Sequence, residues 1–443
     1  MMTVAGTRRM RTRVGVIALL WSLIGMASSR GAWAQEAPNA GDSAMAGNSN
    51  LSLPFGFWNK SFGLAGGYVY AINAFPQPQA SVLGSLMVGT EGSAMGLFMG
   101  RDIRVFGVER LFVDPIASVG YYRNFEAYID GNPAFPNERA GSNESSNDNY
   151  VTGSGWDNFL RMRFKYLLPI GSGRDQIIPA YHLSDGLLVS GATGGQSFNP
   201  FTSGRTFLEL RPFYRSQTVN SDMVNKDFNI ATNGADLIVF WDNRDYPASP
   251  SQGNGLSVQV SRDPGSFGSS GSWTNLSAEY DHYISLGATE TFRQRVIALA
   301  FWTSDSPTWT QNPNGTISNG PPSYAGSTLG GFFRLRAFPS QRFSDKAAIY
   351  GTAELRLIPE WNPFNAYPRL QERVGVRWIQ FVGFAEVGRV APEWNLSVLH
   401  QDLKWDVGLG IRMWAKGLVV RVDSAVANEG FGVQMMVSQP FQF

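Results

Sequence analysis

Apolar and polar side chains alternate with period two through most of this chain. Between Ala347 and Pro359, Ile349, Gly351, Ala353, Leu355 and Leu357 fall on one face of an extended strand, and Tyr350, Thr352, Glu354 and Arg356 on the other. Between 403 and 414, Leu403, Trp405, Val407, Leu409, Ile411 and Met413 alternate with Lys404, Asp406, Gly408, Gly410 and Arg412. One face suits lipid and the other a wet interior, although a half-buried strand of a water-soluble sheet alternates in the same way. Segment 374–390 sets Ile379, Phe381, Ala385 and Val387 opposite Gln380, Phe384 and Glu386, with a bulge expected near Phe381. The Glu386 carboxylate points inward with or without that bulge.

The same reading gives sixteen β-segments: 61–73, 79–90, 93–105, 112–130, 155–170, 176–190, 205–218, 233–243, 255–263, 272–285, 291–304, 346–359, 374–390, 403–414, 416–425 and 431–443. An even number suits a single-chain bacterial barrel. Two long loops interrupt them: 131–155, nearly all turn formers, and 305–345, with Pro321-Pro322 and Gly330-Gly331. If both loops lie on one side of a membrane, strand parity fails between them, and the Gly- and Ser-rich stretch 172–204 is where the count is off by one strand.

The amino terminus sets the compartment. Arg8, Arg9, Arg11 and Arg13 precede an apolar run from Val14 to Ala27, and Ala32-Trp33-Ala34 supplies small residues for cleavage. This is a secretory signal peptide over 1–34, shorter in its apolar run than the roughly 20 residues of a spanning helix. Residues 35–54 read as a flexible linker and 55–443 as the barrel, which leaves no room for a folded periplasmic domain between them.

Loss of the signal removes five arginines and no acids, so 36 basic and 35 acidic residues become 31 and 35. That balance argues against a nucleic-acid partner. There are no cysteines, which excludes a disulfide scaffold, a thiol enzyme and a lipidated amino-terminal cysteine. Charged residues make up only 16%, against roughly 25% in soluble domains. No apolar run beyond the signal reaches the roughly 18 residues of a membrane helix. A secreted chain of membrane-like composition without such a helix is expected to form a sixteen-stranded antiparallel transmembrane β-barrel, all-β, with a long inserted sixth extracellular loop. Phe441 and Phe443 close the last alternating segment, as a carboxy-terminal insertion signal read by the assembly machinery would.

Catalytic and metal chemistry find no foothold in the sequence. His182, His282 and His400 lie far apart, without metal-ligand spacing; no Gly-x-Ser-x-Gly elbow and no phosphate-cradling glycine loop occurs. His282, in Glu279-Tyr280-Asp281-His282, is expected to be satisfied by its acidic neighbours. No cofactor and no enzymatic activity are expected.

Four motifs, in order, resemble the BamA/TamA-like outer-membrane assembly-factor superfamily, the bacterial surface antigen barrels. Leu335-Arg336-Ala337-Phe338 is similar to that family's Val/Leu-Arg-Gly-Phe/Tyr loop tip, with Ala337 in place of glycine. Glu354 matches an inward acid on the following strand, and Gly383-Phe384-Ala385-Glu386-Val387-Gly388 is similar to a Gly-x-Phe-x-Asp-x-Gly strand with Glu for Asp. Asp242, Arg244 and Asp245, with Pro250 and Gly253, are similar to an Asp-x-Arg-Asp turn. Alanine tolerates positive φ poorly, so the tip is expected to be built differently or to sit less deeply.

A guanidinium inside a barrel needs carboxylates. Arg336 is therefore expected to pair with Glu386, with Glu354 nearby, the alternative being a solvated loop arginine. The resemblance implies an integral outer-membrane protein assisting polypeptide, or lipid, insertion or translocation, in contact with outer-membrane lipid. A separate periplasmic partner would then replace the POTRA (polypeptide-transport-associated) domains of relatives. Two other readings stay open: a gated or passive channel lined by Arg336, Glu354, Glu386, Arg412 and Arg421, and a structural barrel or adhesin displaying its loops.

Overall fold

The computed structural model describes residues 50–437, apart from 60, 313–315, 369–370, 372–374 and 416–417. Sixteen long strands form one sheet: β1 (Asn50–Asn59), β2 (Gly63–Asn73), β3 (Ser81–Gly89), β4 (Ala94–Arg101), β5 (Leu111–Ala127), β6 (Val151–Leu167), β7 (Arg205–Ser221), β8 (Lys226–Arg244), β9 (Gly253–Pro264), β10 (Ser272–Ser285), β11 (Phe292–Asp305), β12 (Ala347–Pro359), β13 (Val376–Ala391), β14 (Lys404–Ala415), β15 (Leu418–Ala427) and β16 (Gly430–Val437). Each pairs antiparallel with the next. Among the described residues no ladder joins β1 to β16, and no helix is long and apolar enough to cross a membrane.

The alternation read from the sequence becomes two chemically distinct faces. On β12, Tyr350, Thr352, Glu354 and Arg356 are buried while Ala353 and Leu355 are exposed. On β14, Trp405, Val407, Leu409 and Ile411 are exposed and Asp406 and Arg412 buried. β8 repeats the pattern, with Leu237 and Val239 exposed and Asp236, Ile238 and Phe240 buried. The inside is thus polar and packed, the outside apolar and open, the inverse of a water-soluble sheet.

Three expectations are corrected. Residues 50–54, assigned to the linker, belong to β1, where Leu51, Leu53, Phe55 and Phe57 recur at every second position. Pro54, without an N–H to donate, is tolerated in such a terminal strand. Segment 176–190 is not a strand of the large sheet; it holds a short antiparallel pair, His182–Ser184 with Leu187–Ser190, inside the connection 168–204. Glycine and proline at 171, 173, 179, 186 and 191 break any longer ladder. One strand lost there and one gained at β1 keep the number at sixteen, and the parity conflict disappears. Lastly, the ladder of β13 on β14 is unbroken from Trp378 to Gly388; its irregularity lies between Val376 and Trp378. The period-two pattern around Phe381 needs no extra residue, and Phe381 and Val387 are exposed while Gln380, Phe384 and Glu386 are buried. Residues 1–49 and 438–443, which include the expected signal peptide, Phe441 and Phe443, lie outside the described residues.

The sheet is strongly curled. Connections 128–150 and 306–346 emerge on one rim, and the connection 168–204 on the opposite rim. On the first rim, Arg139 of the β5–β6 connection pairs with Asp345 before β12, and Asn143 donates to the Asp402 carbonyl before β14 at 3.1 Å. Glu144 reaches Arg389 of β13 at 3.0 Å. The β5–β6 connection therefore reaches residues on or just before β12, β13 and β14, seven to nine places on from β5 in the sheet order, as the cumulative twist of a large antiparallel sheet allows.

Candidate functional site: an arginine cage on the concave face

The β11–β12 connection folds inward over β12–β16. Its descent is set by Gly330 and Gly331, both at positive φ; a Cβ on Gly330 would meet the Pro339 carbonyl oxygen at 2.2 Å. The tip then turns at Leu335, whose φ is 56°. Leu335 and Phe338 are buried with Phe343, Val382, Phe384 and Val390, and Phe338 meets Phe343 edge-to-face at 5.2 Å. Ala337 is not among the residues at positive φ. The left-handed residue of this tip is Leu335, so alanine at 337 is accommodated without backbone strain.

Arg336 is fully buried and uses its donors on three strands. Its backbone N–H donates to Glu386 Oε2 at 2.7 Å and its Nε to Glu386 Oε1 at 3.1 Å. Nη1 donates to Asp423 Oδ2 at 2.6 Å and Nη2 to Glu354 Oε1 at 2.9 Å. The guanidinium carbon lies 3.5 Å from the centroid of the Phe384 ring, a cation–π contact. The Tyr350 hydroxyl donates to Glu386, and the Arg336 carbonyl accepts from Gln434 of β16 at 3.2 Å. Burial opposes the charge on Arg336, but Glu386, Glu354 and Asp423 outweigh it and hold the guanidinium well above the usual arginine range.

Around this arginine, acidic and basic side chains are equal in number. Glu354 also accepts from Arg356 Nε at 2.8 Å and from Arg412 Nη2 at 2.8 and 2.9 Å, so one carboxylate serves three guanidiniums. Asp423 accepts from Arg421 Nη1 at 2.8 Å, whose Nη2 donates to the Phe332 carbonyl of the loop at 2.6 Å. Asp406 accepts from the Ala337 N–H at 2.9 Å. Four acids, Glu354, Glu386, Asp406 and Asp423, face four arginines at 336, 356, 412 and 421.

The structure thus brings together Arg336, Glu354, Glu386, Arg412 and Arg421. Asp406 and Asp423 were missed as partners of the tip. Their signal was the one that exposed Glu354: each acid sits on the polar side of an alternating strand, Asp406 in register with Gly408 and Arg412, Asp423 with Arg421.

The turn motif lies elsewhere. Arg244 Nε and Nη2 donate to Asp242 at 2.7 and 2.9 Å in a bidentate pair, with Asp281 of β10 at 3.8 Å from Nη1. Asp245 organises the β8–β9 turn by accepting the N–H groups of Tyr246 and Ser251 at 2.8 and 3.0 Å. His282 is not held by its acidic neighbours: it faces away from the buried Asp281 and stacks on Tyr280 at 6.2 Å, with Phe198 at 5.8 Å. No group of three or more His, Cys, Asp or Glu arranged to hold a metal occurs among the described residues.

These features define an all-β protein with an apolar outer face and a loop pinned to its polar inner face by a buried ion cluster. No family model and no curated protein matches the chain. Among solved structures it is similar to BamA from Haemophilus ducreyi lacking POTRA domains 1-3, with a TM-score of 0.46 and 11% identity over 96% of this chain and 77% of that one. It is similar also to CdiB from Acinetobacter baumannii, with a TM-score of 0.48 and 12% identity over 88% of this chain and 59% of that one. For CdiB from Escherichia coli the TM-score is 0.49, with 10% identity over 87% and 61%. The chain spans about three fifths of the two CdiB chains.

Proposed function

We propose that this protein is an integral outer-membrane β-barrel, closed from sixteen strands beginning at β1, whose lumen is plugged by its own β11–β12 loop and opens as a gated channel. The observation that carries the reading is the Arg336 cage. A loop displayed only for surface recognition has no need to bury a guanidinium among carboxylates of three strands. Buried ion pairs contribute little net stability, and their best-attested use is to specify one arrangement over another. A plug held by charge is fixed in place yet released when its charges are disturbed. The exposed apolar positions of β8, β12 and β14 support immersion in lipid.

The test is single-channel conductance of the refolded chain in a planar bilayer, comparing the unmodified protein with Arg336→Ala. The unmodified protein should be quiet with rare openings and the variant leaky. Large, steady currents that the substitution leaves unchanged would sink the plug.

A second reading is assistance in polypeptide or lipid insertion or translocation, with a periplasmic partner. It is supported by the ordered motifs at 242–245, 335–338, 354 and 383–388. The chain has no cysteine, so an engineered disulfide between β1 and β16 separates the two. A channel conducts in Arg336→Ala with that seam locked, whereas insertion through a parted seam is abolished.

A further inference from the structure

The connection between β6 and β7, residues 168–204, is the longest on its rim and passes over the edge of the sheet. Its first limb lies inside. Tyr181 and Leu183 are buried against Trp378, Trp414 and Tyr246, and Trp378 Nε1–H donates to the Gly186 carbonyl at 3.0 Å. The backbone at Gly186 lies so close that a Cβ would meet Trp414 Cδ1 at 2.7 Å. A hairpin leaving β6 thus reaches β13 and β14, across the concave side.

The second limb lies outside. Trp241 and Asn243 share the outward face of β8 with the exposed Leu237 and Val239. Trp241 Nε1 donates to the Ser203 carbonyl at 2.9 Å. Asn243 donates to the Ser197 carbonyl at 3.0 Å and to Asn254 Oδ1 at 2.8 Å, and accepts from Gly195 N–H at 3.1 Å and Ser203 Oγ at 2.6 Å. The limb therefore satisfies both the amide and the carbonyl of Asn243, which is buried on the outward side of β8 beyond the apolar Leu237 and Val239, where an unpaired amide is costly. The crossing point is Thr193–Gly194: the Thr193 N–H donates to the Asp245 carbonyl at 3.1 Å, and a Cβ on Gly194 would sit 2.3 Å from the Asn243 carbonyl carbon. Beyond it, Phe198 and Phe201 stand 70% and 62% exposed.

From this arrangement we infer that the β6–β7 connection is a strap straddling the rim. Its outer limb is seated by Phe198 and Phe201 in the headgroup interface of the membrane leaflet, and its inner limb closes that mouth of the lumen. Membrane barrels carry girdles of aromatic residues at this interface, phenylalanine serves as an apolar interfacial anchor, and the outer limb continues the apolar surface of β8–β10. The inference rests on the membrane-barrel reading and adds a second closure, at the end opposite the Arg336 plug.

The cysteine-free chain permits a direct test in vesicles. A nitroxide at Leu237→Cys, mid-strand on the outer face, reports on the barrel itself, and one at Phe198→Cys on the strap. Both labels should be shielded from a water-soluble nickel chelate and open to oxygen, with Phe198→Cys the shallower. In parallel, Leu183→Cys on the inner limb should resist a water-soluble maleimide that modifies Val189→Cys on the same hairpin. Its modification should accelerate about tenfold when Phe198 and Phe201 are both replaced by serine, the factor carried by about 1.4 kcal/mol. A water-exposed Leu237 label would overturn the membrane reading and the strap with it. A lipid-exposed Leu237 label beside a water-exposed Phe198 label would overturn the strap alone. So would a Leu183→Cys that reacts as fast as Val189→Cys in the unmodified background, or an unchanged rate in the serine double variant.

Discussion

Glu354 is the residue on which the cage turns, because it accepts from three guanidiniums, those of Arg336, Arg356 and Arg412. Glu354→Gln keeps the shape and removes one charge, leaving three buried cations short of a counter-ion. Breaking a buried pair costs about 3–5 kcal/mol, so the unfolding free energy of the refolded protein, measured by urea titration, should fall by an amount in that range. Glu386→Gln should cost less, since Glu386 pairs with a single arginine and its amide replacement can still accept from the Arg336 N–H. A Glu354→Gln loss no larger than that of Glu386→Gln would show that the hub is solvated rather than dry. The same logic forbids lysine at 336: a point charge cannot serve Glu386, Asp423 and Glu354 at once as the planar fork does.

At the scale of the element, the loop tip and the last strand were fitted to one another through small residues. A Cβ on Gly432 of β16 would lie 2.6 Å from the Arg336 carbonyl oxygen and 2.9 Å from the Ala337 Cα, so Gly432→Val should displace the tip and raise basal conductance much as Arg336→Ala does. Ala337→Gly should change little beyond about 0.4–1 kcal/mol of added unfolded-state entropy, because Ala337 needs no positive φ. An Ala337→Gly protein clearly more stable than the unmodified one would contradict the turn geometry. The strands were legible because period two survives in each; 272–285 was read with the bounds it has, and most others within a few residues. β1 was missed because its Ala-, Ser- and Asn-rich approach set the reading of a stretch in which Leu51, Leu53 and Phe55 already alternate. The strap was not legible at all: Gly186 and Trp378, which it joins, stand 192 residues apart in sequence. Nothing local in 168–204 distinguishes a segment folded over a rim from one more strand.

At the scale of the molecule, the loop rim carries two attachments of different depth, and they should fail separately. Arg336 fastens the β11–β12 connection to the concave wall. Six residues on, the fully buried Arg342 fastens the same connection to its neighbours at the rim: its Nε and Nη2 reach Glu429 at 2.8 and 3.0 Å, and its Nη1 reaches Ser145 Oγ at 2.9 Å. Arg139 with Asp345, and Glu144 with Arg389, stitch the 128–150 connection onto the same region. Arg342→Ala should therefore loosen the rim and leave the cage intact: limited proteolysis within 131–150 should quicken while the conductance stays quiet. Arg336→Ala should do the reverse, opening the conducting path with the rim still stitched and the 131–150 cleavage rate unchanged. If Arg342→Ala alone produced leak as large as Arg336→Ala, the two arginines would act as one cooperative unit, and the plug would be held by the packing of the whole loop rather than by the charges at its tip.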